Sequence, residues 1–293
     1  MAKEIKLAYI ISCYKLPEQV VRLIKVLNTA PGAFFLVHID KKSPATYSQQ
    51  IKRELFGLSN VVFLKRHNCY WGDFGHVRAT VKAINYLVDS NTAFDYLTVL
   101  TGQDYPIKSN HYITKFLGNK SKSYIDYFPL PSKKWANGGM DRVEDLIINI
   151  RGKRVNVPRK VSDLVHSKLL KLDIAKQKDF KFYGGSSYFT LSIKHTRYIY
   201  HYLSKHKDYM RFFSKTYISD EIFFQTLLLN SKYKHEITNN NLRLIDWSGP
   251  VDYPTILESK DINKIMVSKE LFARKFDITK DKAILDKLDK IIA

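Results

Sequence analysis

Four short apolar runs, with amphipathic helical stretches set among them, constrain this chain more than any other feature. Leu7-Ala8-Tyr9-Ile10-Ile11, Phe34 to Asp40, Val61 to Leu64 and Tyr96 to Leu100 each have strand length and carry no alternation of polar residues. Strands buried on both faces read this way, and they belong to parallel sheets covered by helices. Pro17-Glu18 opens a helix with Val20, Val21, Leu23, Ile24 and Leu27 at helical spacing, broken by Pro31-Gly32. A second helix is predicted from about Val77 to Val88. The pattern predicts an α/β fold with a mostly parallel central sheet flanked by helices. Ligands of such sheets bind beyond the carboxyl ends of the strands. Those ends carry Ser12, His38, Asp40, Gln103 and Asp104.

The second half is less regular. From about Ser132 to Lys181 periodicity weakens and basic residues gather at Arg151, Lys153, Arg154, Arg159 and Lys160. No linker or repeat marks a boundary, so a single domain over 1–293 is expected, with a nucleotide-binding half (1–130) and an acceptor and catalytic-base half (131–293). Gly184-Gly185-Ser186-Ser187-Tyr188 is a turn entering a strand at Phe189, followed by a helix near His195 to Leu203. Leu242 to Trp247 is a late strand, and the closing amphipathic helix with Ile284, Leu285, Leu288, Ile291 and Ile292 caps the core.

Ser219-Asp220-Glu221 precedes the apolar run Ile222, Phe223, Leu227 and Leu228. Ser219 stands where an N-cap belongs, and the two acids fall where a helix dipole favours negative charge. Capping alone explains them; a rigidly held carboxylate facing a cleft would also suit a general base. The formal net charge of +20 calls for an anionic partner: a nucleotide, a nucleic acid or an acidic membrane surface. Cys13 and Cys69 form no Cys-x-x-Cys pair and read as buried thiols in a reducing compartment. No stretch reaches membrane-spanning length, so a cytoplasmic protein is expected, with the inner face of the membrane as a possible peripheral contact. Nucleophile-elbow, Walker A and Gly-x-Gly-x-x-Gly motifs are absent, and so is Asp-x-Asp. A nucleotide-sugar transferase without Asp-x-Asp needs cationic side chains where others place a metal, and Arg243, Arg274 and Lys275 are candidates.

Six motifs then resemble one family, in its order along the chain. They are Val37-His38-Ile39-Asp40-Lys41-Lys42-Ser43, Trp71-Gly72, Leu100 to Lys108 (with Gly102-Gln103-Asp104-Tyr105-Pro106-Ile107), Gly185 to Phe189, Ser219 to Phe224, and Phe272-Ala273-Arg274-Lys275-Phe276. Together they are similar to the core-2/I-branching β-1,6-N-acetylglucosaminyltransferases and peptide O-xylosyltransferases of glycosyltransferase family 14. The resemblance implies a GT-A-type fold, inversion at the anomeric carbon, and no metal or other cofactor. It implies Glu221 as the base with Asp220 beside it, and Arg243, Lys275 and Arg274 on the leaving diphosphate. It places Ile11, His38, Asp40, Trp71, Gln103 and Asp104 at the nucleotide and donor, and Ser186, Ser187, Tyr188 and Trp247 at the acceptor.

The expected donor is a UDP-sugar, with N-acetylglucosamine ahead of xylose. Arg274 beside Lys275 leans toward the xylosyltransferase side, and Tyr188 leans the other way. The expected acceptor is a glycan or glycolipid, lipid-linked units included. A nucleic-acid-binding protein would also account for +20 but predicts Arg/Lys stripes interleaved with exposed aromatics, whereas most aromatics here lie in apolar runs. A catalytically silent glycan binder ranks lower because base and cations are all present. No nucleic-acid partner is therefore expected.

Overall fold

The computed structural model describes residues 5–118, 122–145, 147–150, 153–157, 173–176, 179–249 and 253–293. In chain order its strands are β1 (Leu7–Cys13), β2 (Phe34–Ile39), β3 (Val61–Phe63), β4 (Tyr96–Thr101), β5 (Tyr105–Pro106), β6 (Ser123–Ile125) and β7 (Phe128–Pro129). The later strands are β8 (Ile147–Ile150), β9 (Lys153–Asn156), β10 (Tyr183–Gly184), β11 (Phe189–Ser192), β12 (Ile237–Asn239), β13 (Arg243–Ile245) and β14 (Phe272–Arg274). The chain forms two compact units. One takes in residues 1–67, 93–121 and 241–293, the other 68–92 and 122–240.

The first unit contains the predicted parallel strands in the order β4-β1-β2-β3. Ile10, Ile11, Leu36, Val37, Leu97 and Leu100 are wholly buried, which is why these strands read as continuous apolar runs. Register aligns the carboxyl ends: Ser12 stands opposite both His38 and Thr101. Helix Pro17–Leu27 has Pro at its start and buries Val20, Val21, Leu23, Ile24 and Leu27. A helix the sequence reading did not foresee, Ala45–Glu54, buries Tyr47, Ser48 and Ile51. Its apolar spacing is too sparse to announce it.

The closing helix, Lys282–Ile292, buries Ile284, Leu285, Leu288 and Ile292 as expected of a core cap. Asp281 caps its start by accepting the Ile284 N–H at 3.1 Å. Arg22 ties it to the first helix through Asp286 (2.7 Å) and Asp289 (2.6 Å). A small sheet in the order β13-β14-β5 completes this unit. Its central strand carries Phe272-Ala273-Arg274, so the sheet fixes where the cations after it emerge.

The second unit holds β12-β6-β11, with β12 parallel and β11 antiparallel to β6, and the hairpins β7/β10 and β8/β9. Its core is aromatic. Tyr209, Phe212, Phe213 and Phe223 are wholly buried, with ring centroids 4.7–5.3 Å apart for four of their pairs. The Tyr209 hydroxyl donates to the Phe223 carbonyl at 2.7 Å, so no polar atom is stranded there. Each fully buried ring contributes roughly 1.5–3 kcal/mol. This cluster anchors helix Phe223–Leu229 and therefore the acidic turn before it.

Ser219 does not cap that helix. Ile218, at φ 48°, leads into a 3₁₀ turn over Ser219–Glu221, and Ile222, at φ −131°, separates the turn from the helix. Ser219 is buried inside the turn and its side chain caps neither element. The acids thus sit on a turn of their own, ahead of the helix rather than in it. Of the basic run predicted on the irregular segment, Arg151, Arg159 and Lys160 lie outside the described residues, as do the side chains of Lys153 and Arg154 on β9. No helix among the described residues is long and apolar enough to cross a membrane.

Candidate active site

In the second unit the acidic turn is held from three sides. The Gly185 N–H donates to the Glu221 carbonyl at 2.9 Å. A Cβ at Gly185 would overlap the main-chain oxygen of Asp126 and stand 2.7 Å from its carbonyl carbon, so only glycine allows this approach. Ser187 Oγ donates to Asp220 Oδ2 at 2.9 Å, and Gln225 Nε2 donates to the Ser186 carbonyl at 2.7 Å. Ser186 Oγ accepts the Tyr188 N–H at 3.3 Å, closing the turn. From the other side, the Ile218 N–H donates to the Gly72 carbonyl at 2.9 Å. Gly72 sits at φ +74° with the Tyr217 ring where a Cβ would be. Trp71 meets that ring edge-on at 5.5 Å and stays 71% exposed. The Trp-Gly and Gly-Ser-Ser segments, far apart in sequence, are both buttresses of the acidic turn. Trp71 therefore stands beside the acidic turn, through Tyr217.

Glu221 itself is bound by a residue the sequence reading missed. Arg142 Nη1 lies 2.5 Å from Glu221 Oε2, and the guanidinium stacks on Trp135 with 3.6 Å from its carbon to the ring centroid. Both residues come from the irregular stretch after Ser132, where no periodicity marks them. The Glu221 carboxyl is raised to about 7. Burial is the largest cause, the Asp220 charge adds to it, the Arg142 charge and hydrogen bond oppose it, and Asp126 raises it further. A carboxyl poised near neutrality can accept a proton at working pH and return it afterwards. Any reaction that uses Glu221 as a base is therefore expected to lose rate as pH falls through about 7. On the acid side the loss is about tenfold per pH unit, and a pH–rate profile of kcat/KM measures it. A flat profile from pH 5 to 9 would remove Glu221 from the chemistry.

The first unit carries a cationic cluster at the end of its small sheet. Arg274 Nε lies 3.4 Å from Asp104 Oδ1, and Asp104 is wholly buried. The other Asp104 oxygen accepts the Thr101 N–H (2.5 Å) and hydroxyl (2.6 Å). Lys15 Nζ is 3.2 Å from Asp277 Oδ2. Lys275 is half-buried, with Nζ 5.7 Å from the Tyr253 ring centroid, and it makes no ion pair among the described residues. Its ammonium is pushed below the usual lysine range, first by burial and then by the Arg274 and Lys15 charges, with Asp277 opposing. An anion arriving here would relieve that crowding.

Main-chain bonds fasten this cluster. Gln103 Nε2 donates to the Phe276 carbonyl (3.1 Å), and the Phe276 N–H donates back to the Gln103 carbonyl (2.9 Å). Gln19, fully buried and unremarked in the sequence, donates to the Gly102 and Phe276 carbonyls (2.8 and 3.1 Å) and accepts the Ile278 N–H (2.8 Å). An amide next to the apolar residues of the first helix is the one sequence signal of such a tie.

Other expected site residues are placed differently. Asp40 is buried at the end of β2, where Oδ1 accepts the Lys42 N–H at 2.9 Å and Lys42 Nζ is 3.5 Å from Oδ2. Arg66 secures the same loop by donating to the Asp40 and Ser43 carbonyls. His38 is buried, with Nε2 3.0 Å from His67 Nδ1. Ile11 has no exposed surface, so its side chain is part of the core. Arg243, expected on the diphosphate, is 5% exposed. Its guanidinium donates to the Asn241 and Val99 carbonyls (2.5 and 2.6 Å) and lies 5.0 Å from the Phe272 ring centroid. That placement ties β13 to β4, and a diphosphate would have to compete with two carbonyls for it. Trp247 is 60% exposed beside Asp246, which is held near 2 chiefly by Lys264 at 2.7 Å. Cys13 and Cys69 are both buried, and neither is in a disulfide.

A helix-covered parallel sheet, a buttressed carboxyl raised toward neutrality and a cluster of cations are what this α/β chain builds. The family profile described as Core-2/I-Branching enzyme matches residues 7–266, and the chain belongs to that family. Xylosyltransferase oxt of Drosophila pseudoobscura pseudoobscura is 24% identical over 99% of this chain and 33% of its own length. The Bos taurus beta-1,3-galactosyl-O-glycosyl-glycoprotein beta-1,6-N-acetylglucosaminyltransferase is 23% identical over 97% of this chain and 69% of its own length. The chain thus spans about a third of the xylosyltransferase it matches. A more distant likeness is to the crystal structure of Core-mannan synthase A of Aspergillus fumigatus, with 9% identity over 78% of this chain and 71% of that chain and a TM-score of 0.38.

Proposed function

We propose that this chain is an inverting glycosyltransferase of GT-A type that moves a sugar from a UDP-sugar to a hydroxyl of a glycan acceptor. The observation that carries the reading is Glu221: a carboxyl raised to about 7 on a turn held by three separate segments. In the proposed reaction Glu221 takes the proton of the acceptor hydroxyl. The freed oxygen attacks the anomeric carbon as the bond to the UDP oxygen breaks, and the configuration inverts. Asp220, fixed by Ser187, keeps Glu221 basic and orients the turn. Ser186, Ser187, Tyr188 and Trp247 remain the proposed acceptor contacts.

Charge building on the leaving diphosphate needs positive partners. Lys275 and Arg274 are the groups proposed to meet it, and the crowding of Lys275 by Arg274 and Lys15 supports this. Arg243 is proposed to act from behind by fixing the sheet under them. These cations are proposed to do without a divalent ion. Asp40, Gln103 and Asp104 are proposed to shape the nucleotide pocket.

Lys275→Ala is expected to weaken UDP binding by about 10–100-fold, the loss of one charged hydrogen bond, and to slow transfer with it. Titration calorimetry with UDP measures the first effect, and unchanged affinity would remove Lys275 from the site. The proposed donor is UDP-N-acetylglucosamine, with UDP-xylose as the alternative, and UDP release from each in turn decides. Release from neither, with a broad set of glycan acceptors, would overturn the reading. Lipid-linked acceptors, cytoplasmic placement and contact with anionic membrane are extensions of this proposal, in keeping with the +20 charge.

A further inference from the structure

We propose that Arg142, clamped on Trp135, is a positioning residue that aims the Glu221 carboxylate and keeps it ionised until the acceptor hydroxyl arrives. This rests on Glu221 being the base. Two independent attachments join Arg142 to the acidic turn. Its side chain meets Glu221 Oε2 at 2.5 Å, and its main-chain carbonyl accepts the Tyr217 N–H at 3.1 Å. Among the described residues, Glu221 Oε1 has no hydrogen bond, so one oxygen is held while the other is left for a substrate proton.

The guanidinium has little freedom. Its side chain is 17% exposed, and it lies flat on the Trp135 ring. That ring is itself wedged: a Cβ at Gly139 or Gly184 would overlap it, and Phe128 meets it edge-on at 4.9 Å. Planar stacking fixes the direction in which a guanidinium presents its N–H groups, which a lysine ammonium does not reproduce. The charged groups that act on Glu221 are Asp220, Asp126 and Arg142. The two aspartates favour the protonated form, and Arg142 alone of the three favours the carboxylate. Without Arg142, Glu221 would hold its proton to higher pH and be an occupied base at neutrality.

The test is kcat/KM against pH for wild type, Arg142→Gln, Arg142→Met and Arg142→Lys, with Glu221→Gln as control. Met keeps an apolar stem against Trp135 and serves as the neutral variant if Gln does not fold. The neutral variants are expected to move the acid limb upward by about one pH unit or more, so that their loss is about tenfold greater at pH 6 than at pH 9. Arg142→Lys is expected to bring the limb back toward wild type while kcat stays depressed, because charge returns without the stack. Equal losses at every pH with an unmoved limb would overturn the proposal and leave Arg142 a structural residue. Wild-type turnover in Glu221→Gln would instead overturn the assignment of the base, and with it this role.

Discussion

Glu221→Gln lowers sugar transfer by about 10²–10⁴-fold, the range of a lost general base, and leaves UDP affinity unchanged. The amide keeps the shape of the carboxyl, and its oxygen can still accept from Arg142, so the turn keeps its hydrogen bond to Gly185. What is lost is an acceptor for the hydroxyl proton. The UDP contacts are proposed to come from Lys275 and Arg274, in the first unit, which this substitution does not touch. Initial rates and UDP calorimetry on the purified variant check both halves of the expectation. Near-wild-type turnover would show that another group takes the proton, and reduced UDP affinity would show that Glu221 does more than proton transfer.

Gly185→Ala has the second large effect, for a different reason. The new methyl would overlap the Asp126 carbonyl oxygen and crowd the Tyr127 Cα at 3.1 Å. Both neighbours are backbone, so neither can rotate away as a side-chain tip would. The hairpin of β7 and β10 must open, and the Gly185 N–H moves off the Glu221 carbonyl. The expected cost is about 4 kcal/mol or more, at the severe end for single substitutions, with Tm lowered by about 10 °C. Activity falls beyond the loss of folded protein, because the base turn loses one of its three supports. Thermal melting and activity per folded molecule measure the two separately. A variant with wild-type Tm and wild-type rate would contradict this account of the turn.

Much of the first unit was legible in the sequence because its physics is local. Ile10, Ile11, Leu36, Val37, Leu97 and Leu100 are buried on both faces of their strands, and nothing distant is needed to see that. Pro17 opens its helix, and the closing helix shows its core face, for the same reason. The small sheet explains why Phe272-Ala273-Arg274-Lys275 reads as a motif: a central strand sets where the cations emerge. Arg243 lay beyond that logic. A basic residue in an apolar strand looks the same whatever it faces, and only the fold shows the Asn241 and Val99 carbonyls among the partners of Arg243.

The acidic turn is the opposite case. Asp220 and Glu221 stood out by type, yet their setting depends on residues from Trp71 to Gln225 that no spacing connects. Ser219 looked like a cap because it precedes acids and an apolar run. The positive φ of Ile218 and the break at Ile222 show instead a turn built for itself. Arg142 and Trp135 were invisible because their meaning is pairwise: a guanidinium on an indole, aimed at a carboxylate 79 residues away. Lys15 and Gln19 acquire theirs from partners more than 250 residues on, at Phe276, Asp277 and Ile278.

The proposed central chemistry is a single displacement driven by Glu221 and supported by side-chain cations, and the anomeric configuration of the product tests it most directly. The measurement is proton NMR of the first-formed glycoside, made with an α-linked UDP-sugar in the presence of EDTA. The account predicts a β-linked product at an undiminished rate. An α-linked product, or transfer that stops until a divalent ion is restored, would contradict it.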